Sequence, residues 1–245
     1  MTYYICVAGN NGASGDIFLQ WTFTGPSAPE WYYEKISDGG TSYARIIAGE
    51  KKYAGDLAIP STLDGYPVRE IGAEAFLGCT NLTSLTIPQG VTLIREGAFY
   101  KCERMKPVTI PEGVTQIGPA AFAYCHVLED VTLPSTLQWM GSQVFFNCMG
   151  LTNVSLPTRV EYIGAGAFSA CANLKTLKVA SGNADYKAVG NALYSKDGQT
   201  LYHWPVTQHV SIPNGVREIA DYAYFCNSRE MSDAKVTIPG SPESA

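Results

Sequence analysis

The chain carries little charge. Only 16% of its 245 residues are Asp, Glu, Lys or Arg, against roughly 25% in an average globular protein. The formal net charge is -5, and lysine and arginine form no cluster. Because phosphate binding needs a concentrated basic surface, this composition argues against a nucleic-acid partner and against an anionic membrane surface.

Long apolar runs are missing as well. No run reaches the roughly 18 residues that a membrane-spanning helix requires. The opening stretch MTYYICVAGNNGASG has neither the basic region nor the apolar core of a signal peptide. We therefore expect no direct membrane insertion, and neither an export signal nor an anchor within the chain as written.

Residues for metal or nucleophilic chemistry are few or wrongly spaced. The chain has three histidines, His126, His203 and His209, which lie far apart. Six of its seven cysteines recur at one position of a repeat, a spacing that fits neither a CxxC zinc site nor the disulfide framework of a small secreted domain. We expect buried, unpaired thiols, no metal site, no catalytic residues and no cofactor.

A repeat dominates the sequence. IPQGVTLIREGAFYKC, IPEGVTQIGPAAFAYC, LPSTLQWMGSQVFFNC and LPTRVEYIGAGAFSAC begin at residues 87, 110, 133 and 156, a period of 23 residues without a gap. An earlier copy begins at Ile59 and a later one at Ile212. Repeats of this length with Leu or Ile at fixed offsets are typical of a leucine-rich-repeat solenoid.

Each copy predicts two short strands followed by a turn. Leu82, Leu85 and Ile87 of NLTSLTIP face inward from the first strand, and Val114 and Ile117 of VTQIG face inward from the second. The fold prediction is a right-handed leucine-rich-repeat solenoid, mostly β with short helical turns, built from 23-residue repeats.

The segment after the second strand predicts an internal aromatic ladder. Gly118 is expected to let the backbone turn, and AAFAYC is expected to form one helical turn whose Phe122 reaches the core. Stacked coils then place one phenylalanine above the next, because equivalent residues of neighbouring coils are about 4.8 Å apart. The predicted ladder is Phe76, Phe99, Phe122, Phe145 and Phe168.

The copies divide one continuous solenoid domain into parts. We expect an N-terminal segment and β cap at residues 1–58, five repeats at 59–179, a hairpin-bearing insertion at 180–209, a last repeat at 210–239 and a disordered tail at 240–245. The insertion contains ALYSKDGQTLYHW, which reads as a hairpin with its turn at residues 196–199. This hairpin either packs back over the solenoid or projects as a contact arm.

Two outward rows are candidate ligand-binding surfaces. On the second strand the row is Leu93, Gln116, Trp139 and Tyr162. Exposed Trp and Tyr are typical anchors of protein interfaces, and aromatic rings also stack on sugars. The alternative is that an insertion or a tail covers these rings.

The second candidate row precedes each IP or LP dipeptide. Its members include Thr109, Thr132 and Ser155, which form a line of hydroxyls along the first sheet. Threonine is also simply a favourable residue for an exposed strand, so this row has a purely structural interpretation as well.

Carboxylates do not align from coil to coil. A stacked solenoid that cleaves polysaccharides needs two of them close together. In this register Glu129 stands next to Lys106 and Thr152, and Asp130 stands next to Asn153. We therefore predict that the chain is not an enzyme.

The register LxxLxIPxxVxxIGxxAFxxC resembles the BspA-like leucine-rich repeats of bacterial and protozoan surface proteins over residues 59–179 and 210–239. The resemblance implies a cell-surface or extracellular location and a non-catalytic module that binds a host or cell-surface protein or glycan. A structural, self-associating repeat array is the alternative function, and a polysaccharide-active enzyme is the third.

Overall fold

The computed structural model describes residues 31–49, 53–205 and 212–224, together with the backbone of four short strands outside these ranges. The described residues form short β-strands and turns, and they contain no helix. In chain order the strands are β1 (Tyr4–Ile5), β2 (Leu19–Gln20), β3 (Tyr33–Asp38), β4 (Thr41–Ile46), β5 (Gly55–Ala58), β6 (Thr62–Leu63), β7 (Tyr66–Ile71), β8 (Leu82–Thr86), β9 (Leu93–Ile94), β10 (Val108–Thr109), β11 (Gln116–Ile117), β12 (Val131–Thr132), β13 (Trp139–Met140), β14 (Asn153–Leu156), β15 (Tyr162–Ile163), β16 (Thr176–Val179), β17 (Tyr186–Val189), β18 (Ala192–Ser195), β19 (Thr200–His203), β20 (His209–Ser211), β21 (Glu218–Ile219) and β22 (Lys235–Thr237).

The repeat copies stack as coils of a solenoid. On the second wall, β7, β9, β11, β13 and β15 pair in parallel, and each residue from β9 onward faces the residue 23 positions later. On the first wall, β5 pairs with β8, β10 with β12, and β14 with β16, also in parallel. The predicted solenoid and its 23-residue register are confirmed.

An N-terminal β cap extends the second wall. Strand β4 pairs in parallel with β7, and β3 pairs with β4 in the antiparallel direction. The second wall therefore continues through β7, β4 and β3 as one sheet. Residues 6–18 of the N-terminal segment, the expected tail at 240–245 and the side chains of β20 and β22 lie outside the described residues.

The phenylalanine ladder forms the centre of the core, as predicted. All five rings are at most 1% exposed, and neighbouring ring centroids lie 5.1, 5.1, 5.6 and 5.9 Å apart along the ladder. Trp31 and Tyr53 pack on the first ring, and His203 packs edge-on against the last. Aromatic side chains therefore cover both ends of the ladder.

The third segment of each coil is not the helical turn that the sequence predicted. In the third coil, Ala120 and Tyr124 have φ angles of 51° and 63°, which an α-helix excludes. The Ala123 N–H donates to the Ala120 carbonyl at 3.1 Å, and the Phe122 N–H donates to the Val144 carbonyl of the next coil at 2.9 Å. Hydrogen bonds between coils thus select a run of β-turns, which forms a third wall.

The glycines that follow the second strand serve close packing rather than a special turn. Gly118, Gly141 and Gly164 do not adopt positive φ angles. A Cβ atom on Gly141 would lie 2.4 Å from the Pro119 nitrogen and 2.8 Å from the Gly118 carbonyl carbon. These glycines are needed because the backbones of two coils approach each other closely at this corner.

Gly141→Ala is expected to destabilise the protein by about 1–3 kcal/mol, because the added methyl group meets immovable backbone and overpacks the corner. Gly182→Ala is the matched control, since its Cβ would meet only the Thr158 side chain, with Cγ2 at 3.2 Å and Oγ1 at 3.9 Å. Urea unfolding of both variants measures the difference. Equal stabilities would contradict the close-approach explanation.

Five of the six cysteines in the register are buried thiols outside any disulfide, as predicted. The Cys148 thiol donates to the Phe122 carbonyl at 3.1 Å, and the Cys171 thiol donates to the Phe145 carbonyl at 3.0 Å. Burial raises the pKa of the Cys171 thiol to about 12. Burial likewise raises the pKa of the Cys125 and Cys148 thiols, so these three thiols stay protonated and act as packing groups. Cys6 and Cys226 lie outside the described residues.

The insertion completes a coil rather than projecting from the solenoid. Strands β18 and β19 form an antiparallel hairpin, and β19 then pairs in parallel with β21 of the last copy. The Arg217 N–H donates to the Gln199 carbonyl at 2.8 Å. In a regular pair of coils, the Thr115 N–H donates to the Thr92 carbonyl in the same way, at 2.9 Å. Strand β19 thus pairs with the last copy as one coil pairs with the next, in a sheet separate from that of β15.

Side chains join the insertion to the fifth coil. The Tyr186 hydroxyl accepts a hydrogen bond from the Ile163 N–H at 2.9 Å on the second wall. On the first wall, the Asn191 side chain donates to the Lys175 carbonyl at 2.5 Å and accepts from the Leu177 N–H at 3.4 Å. A phenol and an amide therefore satisfy backbone groups that a further strand would otherwise satisfy.

Candidate functional site

The outer residues of the second wall line up from coil to coil. Leu93 pairs with Gln116, Gln116 with Trp139, and Trp139 with Tyr162. The residue after each of them points into the core and is buried, because side chains alternate between the two faces of a strand. We call these four outward residues the second-wall row.

Trp139 and Tyr162 form a stacked aromatic pair within this row. Their ring centroids are 5.5 Å apart and their planes differ by 9°. Parallel rings with centroids at this distance are offset-stacked, so each ring covers part of the other's face. Tyr162 is 47% exposed, and Trp139 is half-buried.

Towards the N-terminus, the row continues into a network of charged residues. Glu70 pairs with Leu93 on one side and with Arg45 on the other. The Glu70 carboxylate accepts hydrogen bonds from Arg45 Nε at 2.6 Å, Arg95 Nε at 2.8 Å and the Tyr43 hydroxyl at 2.5 Å. Burial by itself raises the pKa of Glu70, but these hydrogen bonds outweigh it and lower the pKa. The charged groups at this end of the row therefore pair with one another.

Towards the C-terminus, the row meets two tyrosines of the insertion. The Tyr186 and Tyr202 rings lie 5.4 Å apart in an edge-to-face arrangement. Burial raises the pKa of Tyr202, and the negative charges of Glu218 and Asp197 raise it further, with a smaller contribution from Tyr162. The insertion and the last repeat therefore place aromatic and acidic groups beside the exposed end of the row.

The sequence comparisons agree with this geometry. The family model described as the BspA type leucine-rich repeat region matches residues 69–196 in six copies. The chain belongs to this family. No curated protein sequence matches the chain significantly.

Solved structures of bacterial leucine-rich-repeat proteins are similar to this BspA-type chain. A leucine-rich cell-surface protein from Faecalibacterium prausnitzii is 27% identical, with a TM-score of 0.55 over 86% of this chain and 71% of that chain. The T. pallidum leucine-rich-repeat protein TpLRR is 26% identical, with a TM-score of 0.56 over 77% of this chain and 79% of that chain. The pneumococcal vaccine antigen PcpA shares the fold at 19% identity, with a TM-score of 0.62 over 79% of this chain and 60% of that chain.

The hydroxyl row lies on the first wall of the BspA-type coils. Thr109 pairs with Thr132, Ser155 pairs with Lys178, and all four side chains are exposed. Because this row belongs to different sheets from the second-wall row, the predicted candidate residues form two separate surfaces rather than one site.

Two features beside the second-wall row escaped the sequence interpretation. Glu70 stands 23 residues before Leu93, so the repeat register itself carried a signal for it. Arg45 lies in the cap, outside the repeat, and its place beside Glu70 depends on the pairing of β4 with β7. The repeat pattern gave no signal for Tyr186, because its hydroxyl accepts a hydrogen bond at a place where the pattern predicts a strand.

Two further findings concern the described part of the chain. It contains no group of three or more His, Cys, Asp or Glu side chains that could hold a metal ion. Its residues also include no helix with the length and apolar character to cross a membrane.

Asp130 lies beside Asn153, whose side-chain amide donates to the Asp130 carboxylate at 3.1 Å.

Proposed function

We propose that this BspA-type chain is a non-catalytic binding module of a bacterial cell-surface or secreted protein, and that it holds a protein partner on the second-wall row. The observation that carries the proposal is the stacked pair of Trp139 and Tyr162 on the outer side of the second wall, where Tyr162 is 47% exposed. Trp and Tyr supply much of the binding energy in protein interfaces.

The orientation of the two rings favours a protein over a glycan at this row. A sugar ring stacks on an open aromatic face, but Trp139 and Tyr162 each cover part of the other's face. Aromatic edges carry partial positive charge and pack well against carbonyl groups and against the faces of other aromatic rings. Proteins supply both kinds of group at high density.

The solenoid supports this role through its rigidity. Equivalent outer side chains are held at a fixed spacing by a core that does not vary from coil to coil. A surface location is proposed because the similar protein from F. prausnitzii is a cell-surface protein.

The test is binding of the purified chain to an array of extracellular-matrix proteins and glycans, with the Trp139→Ala/Tyr162→Ala double variant measured beside it. Loss of two interface anchors is expected to weaken binding to the protein partner by roughly 30-fold or more. Circular dichroism first establishes that the variant is folded.

The matched control is Thr109→Ala/Thr132→Ala, which truncates two paired outer residues on the first wall. If only the threonine variant loses binding, the site is the hydroxyl row and the proposal for the second-wall row is wrong. Sedimentation at several concentrations tests the alternative function, a self-associating array. The mass of such an array increases with concentration, and the aromatic double variant is expected to abolish that increase.

A further inference from the structure

A second aromatic surface lies on the third wall. Tyr100 and Phe146 occupy equivalent positions two coils apart, and the coil between them has Ala123 at that position. The Tyr124 ring fills the gap, with centroid distances of 5.2 Å to Tyr100 and 5.5 Å to Phe146. All three rings are half-buried, while Ala123 beneath them is only 1% exposed. The inner face of the same wall is already filled by the phenylalanine ladder.

These rings are arranged differently from the stacked pair of the second wall. Tyr124 is tilted by 59° against Tyr100 and by 60° against Phe146. Tilted rings do not cover each other's faces, so parts of the faces turn outward. His126 stands edge-on to Tyr124, with 6.1 Å between the ring centroids. We call Tyr100, Lys101, Tyr124, His126 and Phe146 the third-wall patch.

Lys101 marks the exposed side of the patch. Its ammonium group lies 5.5 Å from the Tyr100 centroid and 5.8 Å from the Tyr124 centroid, within the range of a cation–π contact. The side chain is exposed, and no carboxylate of the described residues forms an ion pair with it. The nearest acidic residue along the chain is Glu103, which is half-buried.

Two exposed apolar side chains adjoin the patch. Val127, which follows His126, is 45% exposed. Met149, which is equivalent to His126 in the next coil, is 41% exposed. Two of the large apolar side chains exposed in the described structure therefore border the same aromatic surface. Because Val127 and Met149 are exposed, neither side chain fills the hydrophobic core.

We infer that the third-wall patch binds an acidic glycan of the uronate class. The apolar C–H face of a sugar packs on the tilted rings, and its carboxylate pairs with the Lys101 ammonium, which already lies over those rings. Because the chain as a whole carries a net charge of -5, general attraction of polyanions does not supply this affinity. The inference goes beyond the proposed function, since it concerns another wall and another class of ligand.

An acidic peptide fits the patch less well. Peptides that add to a β-surface need open backbone groups. On this wall the backbone donors point to the next coil, as the Phe122 N–H does to the Val144 carbonyl and the Tyr124 N–H does to the Phe146 carbonyl. Ring stacking and one charge pair require no backbone partner, which favours the sugar.

The experiment is calorimetric titration of the full chain with oligogalacturonate in calcium-free buffer, beside the carboxyl-reduced oligosaccharide. Lys101→Gln keeps the side-chain stem and removes the charge, so it is expected to weaken binding about tenfold. Lys101→Arg is expected to bind like the original chain. Tyr124→Asn, which suits the positive φ of 63° at that position, is expected to lose binding although Lys101 remains.

Lys106→Gln is the matched control, because it removes one charge from another exposed lysine of the same coil. Equal weakening by Lys101→Gln and Lys106→Gln would mean general polyanion attraction and would overturn the proposal. So would equal binding of the carboxyl-reduced oligosaccharide, absence of oligogalacturonate binding, or tighter binding of poly-glutamate. The second-wall variant Trp139→Ala/Tyr162→Ala should bind oligogalacturonate normally, which keeps this test separate from that of the proposed function.

Discussion

Phe122→Ala is expected to unfold the middle of the solenoid. The Phe122 ring is completely buried between Phe99 and Phe145, at centroid distances of 5.1 and 5.6 Å. Truncation of a buried phenylalanine typically costs about 3–5 kcal/mol. In a repeat array the loss affects one coil and both neighbouring interfaces. For a chain of this size, that cost lowers the melting temperature by roughly 6 to 20 °C.

Thermal denaturation followed by circular dichroism measures this effect. Phe146→Ala is the matched control, because Phe146 is a half-buried phenylalanine on the outer side of the adjacent coil. We expect its melting temperature to fall much less. A Phe122→Ala melt that coincides with that of the unmodified chain would refute the view that the ladder holds the coils together.

Acidification is expected to destabilise the C-terminal end of the solenoid through His203. This side chain is 4% exposed and stands edge-on to Phe168, the last ring of the ladder. Burial lowers the pKa of His203 to about 4 from the ordinary value of 6.5. Among the described residues, its Nε2 atom has no hydrogen-bond partner. The fold therefore holds the neutral imidazole.

The direction of the pH dependence follows from proton binding. Between pH 6.5 and pH 4 the unfolded chain binds a proton at His203 and the folded chain does not, so the free energy of unfolding falls as the pH falls. The stabilisation is complete above pH 6.5, and about 3 kcal/mol of it is lost by pH 4. Carboxylates with lowered pKa values, such as Glu70, lose their contribution at lower pH.

Urea unfolding between pH 7 and pH 4.5 tests this prediction. In His203→Gln, which has no titrating group at this position, the decline in stability over that interval should be much smaller. If the variant and the original chain lose stability in parallel, the destabilisation arises elsewhere. Tryptophan fluorescence is a suitable second signal, because Trp204 adjoins His203.

Much of the coil was predictable from single residues. Ile117, Phe122 and Cys125 recur every 23 positions because each points into a core of constant cross-section, and the structure buries all three completely. Outward residues were equally predictable, since Trp139 and Tyr162 follow the same register. The strand periodicity assigns a face to each residue without any knowledge of neighbouring coils.

Other features were beyond the repeat pattern. The segment around Ala120 and Tyr124 is too short for its sequence to distinguish a helical turn from β-turns, and hydrogen bonds from the next coil decide between them. Gly118 was interpreted as a turn residue, because the sequence does not show that its Cβ position would lie 2.4 Å from the Glu96 nitrogen of the preceding coil.

By itself, the sequence determined the solenoid, its register, the phenylalanine ladder and the side of the wall on which each candidate residue lies. These depend on periodicity, which is a local property of the chain. Only the tertiary structure decided how Trp139 turns its ring against Tyr162, how Tyr124 fills the space above Ala123, and how Tyr186 replaces a strand. Ring orientation and side-chain substitution of this kind depend on atoms that neighbouring coils and the insertion supply, and therefore arise only when those parts of the chain pack together.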